Sequence, residues 1–491
     1  MYKVGVGFTE PYYNNDAPFH PDENFPEYSL GGILKGENGP YRLLRRLFFD
    51  LGYDIANYNT TAWNPLGHII NPGQTVVIKP NFVSNQNLSD QDVFAVITHP
   101  SILRCLVDYV FIALKGEGRI IITDSPQMDC DWKDLMHVQN LKEIASFYRD
   151  ATSFEIEYFD LRDFTVVNSS GTAYSSNRQK LSGDPQGEVI VNLGKDSKFY
   201  NLPSENYYGA DFNRDETIRH HQGEVHEYCV SKTILDADVF ISVPKLKVHK
   251  KVGVTLNLKG LVGINTNKNY LVHYRVGTPS EGGDQLPDDR PGGDRIIIKV
   301  QRFLYDRTLA KQNKLGDFAY RCALWGYRTF VKPFRHVSAE TTIQDGGNWH
   351  GNDSAWRMTA DLARILVFAD SHGKLHQTPQ RKLFCVIDGI IGGENNGPLS
   401  PDPKESGCLV CGEDPLATDI VAARLMGFDP AKIKQFSLAD DPAFPDVGVP
   451  SESIEVISER EDVVRMFQHK DPLLAFRPHP GWVGHLEVNS R

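Results

Sequence analysis

The stretch TVVIKPNFVSNQNLSDQDVFAVITHPSILRCLVDYVFIALKGEGRIIITDSP, residues 75–126, decides the fold. It opens on Thr75-Val-Val-Ile78, a continuous apolar run of strand length, and closes on a second, Arg119-Ile-Ile-Ile122. Between them, Thr98-His99-Pro100-Ser101 supplies the start signals of a helix. Ile102 to Leu114 continues at helical spacing until Gly116-Glu-Gly118 stops it. Strands that stay apolar without alternation are buried on both faces, the condition of a parallel sheet covered on two sides. The fold class is therefore α/β: a mainly parallel, doubly wound sheet with helices on both faces, plus loop-rich and helical insertions.

Working outward, Val4 to Phe8 reads as a strand, Tyr41 to Leu51 and 134–149 as helices, and Phe154 to Asp160 as a strand, completing a first α/β half over 1–162. From 163 to 223 the pattern dissolves into Ser, Gly, Asn and Asp, a loop-rich insertion with one strand at Glu188 to Asn192. Residues 224–276 return to the core, with Val225 to Leu235 read as a helix and Asp238-Val-Phe-Ile-Ser242 as a buried strand. A Gly/Pro/Asp loop and a basic, aromatic helical insertion fill 277–336. The second α/β half, 337–430, holds a helix at Ala355 to Phe368, strands at Lys382 to Ile387 and Cys408 to Val410, and a helix at Leu416 to Leu425. The segment 431–491, with Pro442, Pro445 and Pro450, reads as irregular.

The chain of 491 residues is long enough for several domains, and its formal charge of −11 argues against general nucleic-acid affinity. The opening MYKVGVGFTEPYY lacks an apolar leader, and no run approaches the roughly 18 apolar residues of a membrane span. A cytoplasmic location is expected. Seven cysteines, an odd number, fit a reducing compartment. Cys408-Leu-Val-Cys411 is a lone CxxC inside an apolar strand.

Chemistry concentrates in VPKLKVHKKVGVTLNLKGLVG, residues 243–263. Lys245, Lys247, His249, Lys250, Lys251 and Lys259 crowd the exit of a buried strand, and unpaired cations there must face either water or an anion. Three further apolar strands end in compact polar groups: Lys79 with Asn81, Asp124 with Ser125, and Asp388. In open parallel sheets ligands bind outside the carboxyl ends of strands, so four such ends point to one anion-binding cleft. Lys79, Asn81, Lys245, Lys259, Asn257 and Ser125 are the candidate substrate contacts. Lys247, His249 and His99 are the candidate catalytic groups, with neighbouring cations expected to keep His249 neutral. His99 serves equally as a cap. Asp124, Asp388 and Glu394 form a carboxylate set suited to a hard divalent metal. Lys250 and Lys251 read as surface charge, as do His220, His221 and His226. The ten Lys and Arg of 295–336, interleaved with aromatics, read as amphipathic helices with a solvated basic face; an acidic partner or a membrane surface is the sharper alternative.

VVIKPNFV (76–83), ITHPSILRCLVDYV (97–110), RIIITDSP (119–126), ADVFISVPKLKVHKKVGVTLNLKGLVG (237–263), VIDGIIGGENNGP (386–398) and GEDPLATDIVAARLMGFDP (412–430) resemble, in order, the blocks of the DUF362 family. That family is named for lacking an established general activity. Many of its members carry a ferredoxin-like iron–sulfur module with clustered cysteines. This chain departs from them with only Cys408 and Cys411, so an iron–sulfur cluster is not expected. The blocks fall on the four strand ends, supporting a shared site there. Two functions are expected: an enzyme using acid/base or metal-assisted chemistry on a small carboxylate or phosphate, or a non-catalytic protein that binds an anionic metabolite or a partner.

Overall fold

The computed structural model describes residues 1–167, 174–211, 213–333, 336–440, 453–469 and 473–488. Its centre is a ten-stranded mixed sheet: β1 (Tyr2–Phe8), β2 (Thr75–Pro80), β3 (Arg119–Asp124), β4 (Ile156–Asp160), β5 (Val239–Val243), β6 (Lys245–His249), β7 (Gly253–Val254), β8 (Lys382–Glu394), β9 (Asp402–Gly412) and β10 (Ile454–Ile457). The helices that matter below are α1 (Gly39–Asp50), α2 (Pro100–Leu114), α3 (Leu141–Thr152), α4 (Leu256–Gly260), α5 (Gly292–Arg307), α6 (Lys314–Gly326), α7 (Ala355–Phe368) and α8 (Pro415–Leu425).

Strands run in the order β10-β1-β9-β8-β5-β2-β3-β4, with β6 pairing to β8 and β7. The neighbours β8, β5, β2, β3 and β4 are parallel, while β9 runs antiparallel to β8 and β1. Alternate side chains of these uniformly apolar strands feed two separate cores, because successive Cβ atoms point to opposite sides. Val76, Ile78, Ile120 and Ile122 pack beneath α1, α2 and α3. Val77, Ile121 and Phe240 pack beneath α7 and α8. Helices therefore cover both faces, and the fold is α/β. No helix among the described residues is long and apolar enough to cross a membrane.

Several elements differ from the sequence reading. Val225–Ser231 is a strand, antiparallel to Glu188–Asn192, with only Lys232–Leu235 helical. Its alternation of Tyr228 and Val230 toward the core outweighs the weaker helical pattern. The helix expected at 134–149 is two, Trp132–Val138 and α3, broken where Asn140 takes φ of 47°. Within 431–491, β10 pairs in parallel with β1, Glu461–His469 is helical, and buried Trp482 donates to the Lys250 carbonyl at 2.7 Å. Pro442, Pro445 and Pro450 lie outside the described residues, as do 334–335 of the basic insertion. His221 and His226 are buried rather than at the surface; His221 Nε2 bonds the Tyr270 carbonyl at 2.8 Å.

Candidate functional site

From β2 the chain passes to β3 and β4 on one side, and β5 lies on the other, so the sheet's topological switch point falls between β2 and β5. A crevice forms outside the carboxyl ends of strands at such a point. Here it is a cavity of about 440 Å³. Six lysines line it: Lys79, Lys247, Lys250, Lys251, Lys259 and Lys268. His249 and His273 line it too, and among the described residues the only carboxylates on its wall are Asp124 and Asp129.

Each cation arrives by a different route. The period of two along β6 puts Lys245, Lys247 and His249 on one side while Leu246 and Val248 enter the core. Lys247, fully buried, donates to three neutral acceptors: Asn81 Oδ1 at 3.3 Å, the Val96 carbonyl at 2.6 Å and the Pro398 carbonyl at 3.2 Å. Burial, with Lys245 and Lys259 adding repulsion, holds its ammonium well below the usual lysine range. Lys79 pairs with Asp124 Oδ1 at 2.9 Å. Lys268 donates to the Ser125 carbonyl at 2.9 Å and hydroxyl at 2.8 Å, and burial pushes its pKa down to about 8. Lys251 bonds the Gly346 carbonyl and lies 5.2 Å from the Tyr274 ring centre. Lys250 and Lys259 have no acceptor or ion partner among the described residues. Burial, reinforced by Lys268, Lys79 and Lys250, lowers Lys259 to about 7.

The two histidines hold opposite tautomers. The Lys251 N–H donates to His249 Nδ1 at 3.0 Å, which leaves Nε2 as the proton-bearing nitrogen of a neutral ring. His273 Nδ1 lies 3.1 Å from the Leu271 carbonyl, an obligate acceptor, so there Nδ1 holds the proton and Nε2 carries the lone pair. Burial and surrounding lysines (Lys259 foremost) push both rings well below the ordinary histidine range, favouring the neutral forms. One cavity thus carries an imidazole donor and an imidazole acceptor.

Of the residues singled out from sequence, the cavity brings together Lys79, Asn81, Asp124, Ser125, Lys247, His249 and Lys259. Five lie elsewhere. Lys245 is sealed in an ion pair with Asp388 Oδ2 at 3.0 Å, and Tyr13 donates to Asp388 Oδ1 at 2.5 Å. Asp388 is no strand end but lies mid-strand in β8. His99 caps α2, its Nδ1 accepting from Ser101 N–H at 3.1 Å and its ring stacked 3.9 Å from Tyr13. Asn257 fastens α4 to α8 through Asp419 at 2.7 Å. Glu394 pairs with Arg477 at 2.7 Å. Asp124, Asp388 and Glu394 therefore answer three different cations and do not converge. No group of three metal-ligating side chains forms among the described residues. Lys250 and Lys251, read as surface charge, are cavity-lining, drawn in by the tight β6–β7 turn beneath Trp482. Sequence reasoning also missed Lys268 and His273. Cys408 and Cys411, three apart on β9, enter opposite cores and cannot face one ligand.

Gly263 closes the floor. A Cβ there would come within 1.8 Å of Asp124 Oδ1 and 2.8 Å of Lys79 Nζ, and the Gly263 carbonyl accepts from Ser125 N–H at 3.0 Å. Gly263→Ala is expected to force the Lys79–Asp124 pair apart and destabilise the fold by about 2–4 kcal/mol. Urea denaturation measures this; a loss under about 0.5 kcal/mol would show that the pair yields freely.

Fold and cavity together define a doubly wound α/β protein with a lysine-lined cleft at its switch point. A family model described as a domain of unknown function, DUF362, matches residues 76–195 and 187–424, and the chain belongs to that family. The chain is also similar to a thylakoid-associated protein of Synechocystis sp., 42% identical over 50 residues. That match covers 10% of this chain and 16% of the relative. A solved structure of a Thermotoga maritima protein aligns with 71% of this chain and 55% of its own, at 9% identity and a TM-score of 0.28.

Proposed function

We propose that this chain is an enzyme that binds a small, multiply charged phosphate or carboxylate in the lysine-lined cleft and moves a proton on it. The carrying observation is the imbalance of charge: among the described residues, six lysines face two carboxylates around about 440 Å³, with Lys250 and Lys259 unpartnered. Buried cations without counter-charge are costly, and a bound anion is the compensating partner. His273 Nε2 is then the general base and His249 Nε2–H the donor to a developing negative charge, with Lys247 beside it. The sequence reading makes His249 a catalytic group, and its Nδ1 acceptor bond favours the donor role for it. The complementary tautomers favour an enzyme over a carrier, which would need only the cations.

Binding should depend on pH with a definite sign. Lys259 and Lys268, lowered to about 7 and about 8, bind fewer protons folded than unfolded between those values and the ordinary lysine pKa. The ligand-free protein should therefore gain stability as pH rises from 7 to 9. Anions bind the protonated forms, so their stabilising effect should shrink over the same range. Thermal-shift titrations with inorganic phosphate, pyrophosphate and citrate at pH 6.5 and pH 9 check both trends. Absence of any anion-dependent shift at pH 6.5 would end this reading. A non-catalytic anion-binding protein would give the same shifts, but His273→Gln would leave it functionally intact.

A further inference from the structure

The basic insertion turns its apolar residues the wrong way for an ordinary surface helix. A helix lying on a globular body buries its apolar stripe and shows water its polar one. On α5, the exposed residues Ile296, Val300, Phe303 and Arg307 follow at i, i+4, i+7 and i+11. On α6, Leu315, Phe318, Cys322 and Trp325 follow at i, i+3, i+7 and i+10, all exposed. Phe330 continues the row in the π-helical turn Tyr327–Val331. Phe318, Trp325 and Phe330 are each 65–66% exposed.

The inner faces bury only Ile298 of α5 and Leu309 just beyond it as aliphatic side chains, and polar and stacking contacts supply the rest. Asp317 accepts from Ser175 N–H at 3.0 Å and hydroxyl at 2.7 Å. Arg302 bonds Asp345 at 3.1 Å. Tyr305 stacks on Tyr320 at 5.2 Å, joining the two helices. Around the outward apolar rows lie Arg307, Lys311, Lys314, Arg321, Arg328 and Lys332, none of which makes an ion pair with a described residue. The three acids of α5 and α6 face inward, Asp294 to Ser338, Asp306 to Arg214 and Asp317 to Ser175. A strongly basic, aromatic surface is thus set on a chain whose formal charge is −11.

We propose that this face docks on an anionic lipid surface, lying in the headgroup plane with Phe303, Phe318, Trp325 and Phe330 in the acyl boundary and the cations among lipid phosphates. The charge complementarity selects this occupant. A second copy meeting the first through the same face would set the cations against themselves, which is repulsive. The rows ride on the solvent-exposed sides of α5 and α6, where a fluid interface can adapt to them. Amphipathic helices with aromatic and basic residues bind such interfaces through buried apolar area plus attraction to anionic lipid.

The test is sedimentation of the full chain with phosphatidylcholine vesicles, with and without phosphatidylglycerol. Co-sedimentation is expected only with the anionic lipid and should weaken with added salt. Each cation near such a surface contributes about fivefold, so Lys311→Glu with Lys314→Glu should cost more than about tenfold in affinity. Phe318→Ser with Trp325→Ser should cost as much; these exposed changes should leave the melting temperature unchanged, which verifies folding. Trp325→Phe should retain binding. Lys259→Met, which alters only the cleft, should leave vesicle binding intact, so this proposal and the anion site fail separately. The idea is overturned if anionic vesicles do not bind, if the paired variants bind as well as the parent, or if Lys259→Met abolishes binding. It is equally overturned if polyglutamate binds while vesicles do not, or if Phe318→Ser with Trp325→Ser dissolves a dimer.

Discussion

Lys259→Met is expected to raise the melting temperature of the ligand-free protein and to abolish most of its stabilisation by anions. Lys259 is 8% exposed, has no acceptor among the described residues, and is surrounded by Lys268, Lys79 and Lys250. Its lowered pKa, about 7, means that at pH 6.5 the folded state carries an ammonium that burial disfavours. Methionine keeps a similar length and volume, and replacing an uncompensated buried charge with an apolar isostere relieves the desolvation cost. The gain should be on the order of 3 kcal/mol at pH 6.5 and should shrink as pH rises above 7, vanishing only near the ordinary lysine pKa, where the unfolded chain loses the proton too. Anion binding moves the other way, because the same charge is one of the two cleft ammonium groups, with Lys250, that have no partner among the described residues. Calorimetry of parent and variant with and without pyrophosphate separates the effects. A variant that melts lower and keeps the full anion shift would show that Lys259 is structural. The opposite signs matter: a residue retained at a cost to stability marks a site held ready for a ligand.

How far the sequence reaches can be judged on neighbouring residues of β6. The sequence places Lys245, Lys247 and His249 at the exit of a buried strand; they form a strand of their own, whose alternation puts all three on one side. Alternation does not say which of them meets a carboxylate. Lys245 lies opposite Asp388 in the β6–β8 register, while Lys247 lies opposite Gly393, which has no side chain to offer. That difference depends on a strand more than a hundred residues away. Asp388 itself looked like a strand end because Asp-Gly-Ile-Ile-Gly-Gly reads as a turn. The glycines instead let the strand continue under close cover, since a Cβ at Gly389 would meet Leu246 at 2.7 Å and one at Gly392 would meet Phe476 at 2.5 Å. Lys268 and His273 carried no spacing signal. His273 lies on Val272–Arg275, which pairs with Tyr207–Gly209 from the loop-rich insertion, and Lys268 is held by Ser125, contacts made only in three dimensions. The continuous apolar strands, by contrast, were legible because burial on both faces is a local demand on every residue of the run.

Asp388→Asn is expected to be the most destabilising single change near the site, by about 3–5 kcal/mol, while leaving anion binding intact in whatever remains folded. Lys245 and Asp388 are both fully buried and neither lines the cavity, and the Tyr13 hydroxyl accepts from Lys245 Nζ at 2.7 Å. Asparagine preserves the oxygen that accepts the His99 N–H at 2.9 Å, so the cap of α2 survives and the loss isolates the charge. The lysine is then a buried cation with only neutral acceptors, and burial already pulls its pKa down even with the carboxylate present. Adding Lys245→Met should recover at least half of the lost stability, since two neutral groups no longer oppose each other across a missing charge. Denaturant titration of the two single variants and the double gives the coupling directly. If Asp388→Asn instead kept full stability and lost the pyrophosphate-dependent shift, the cleft would extend through Tyr13 to β8. Lys245 would then rejoin the lysines that hold the anion. Stability and binding fall on different lysines of one strand because only one of them has a carboxylate of its own.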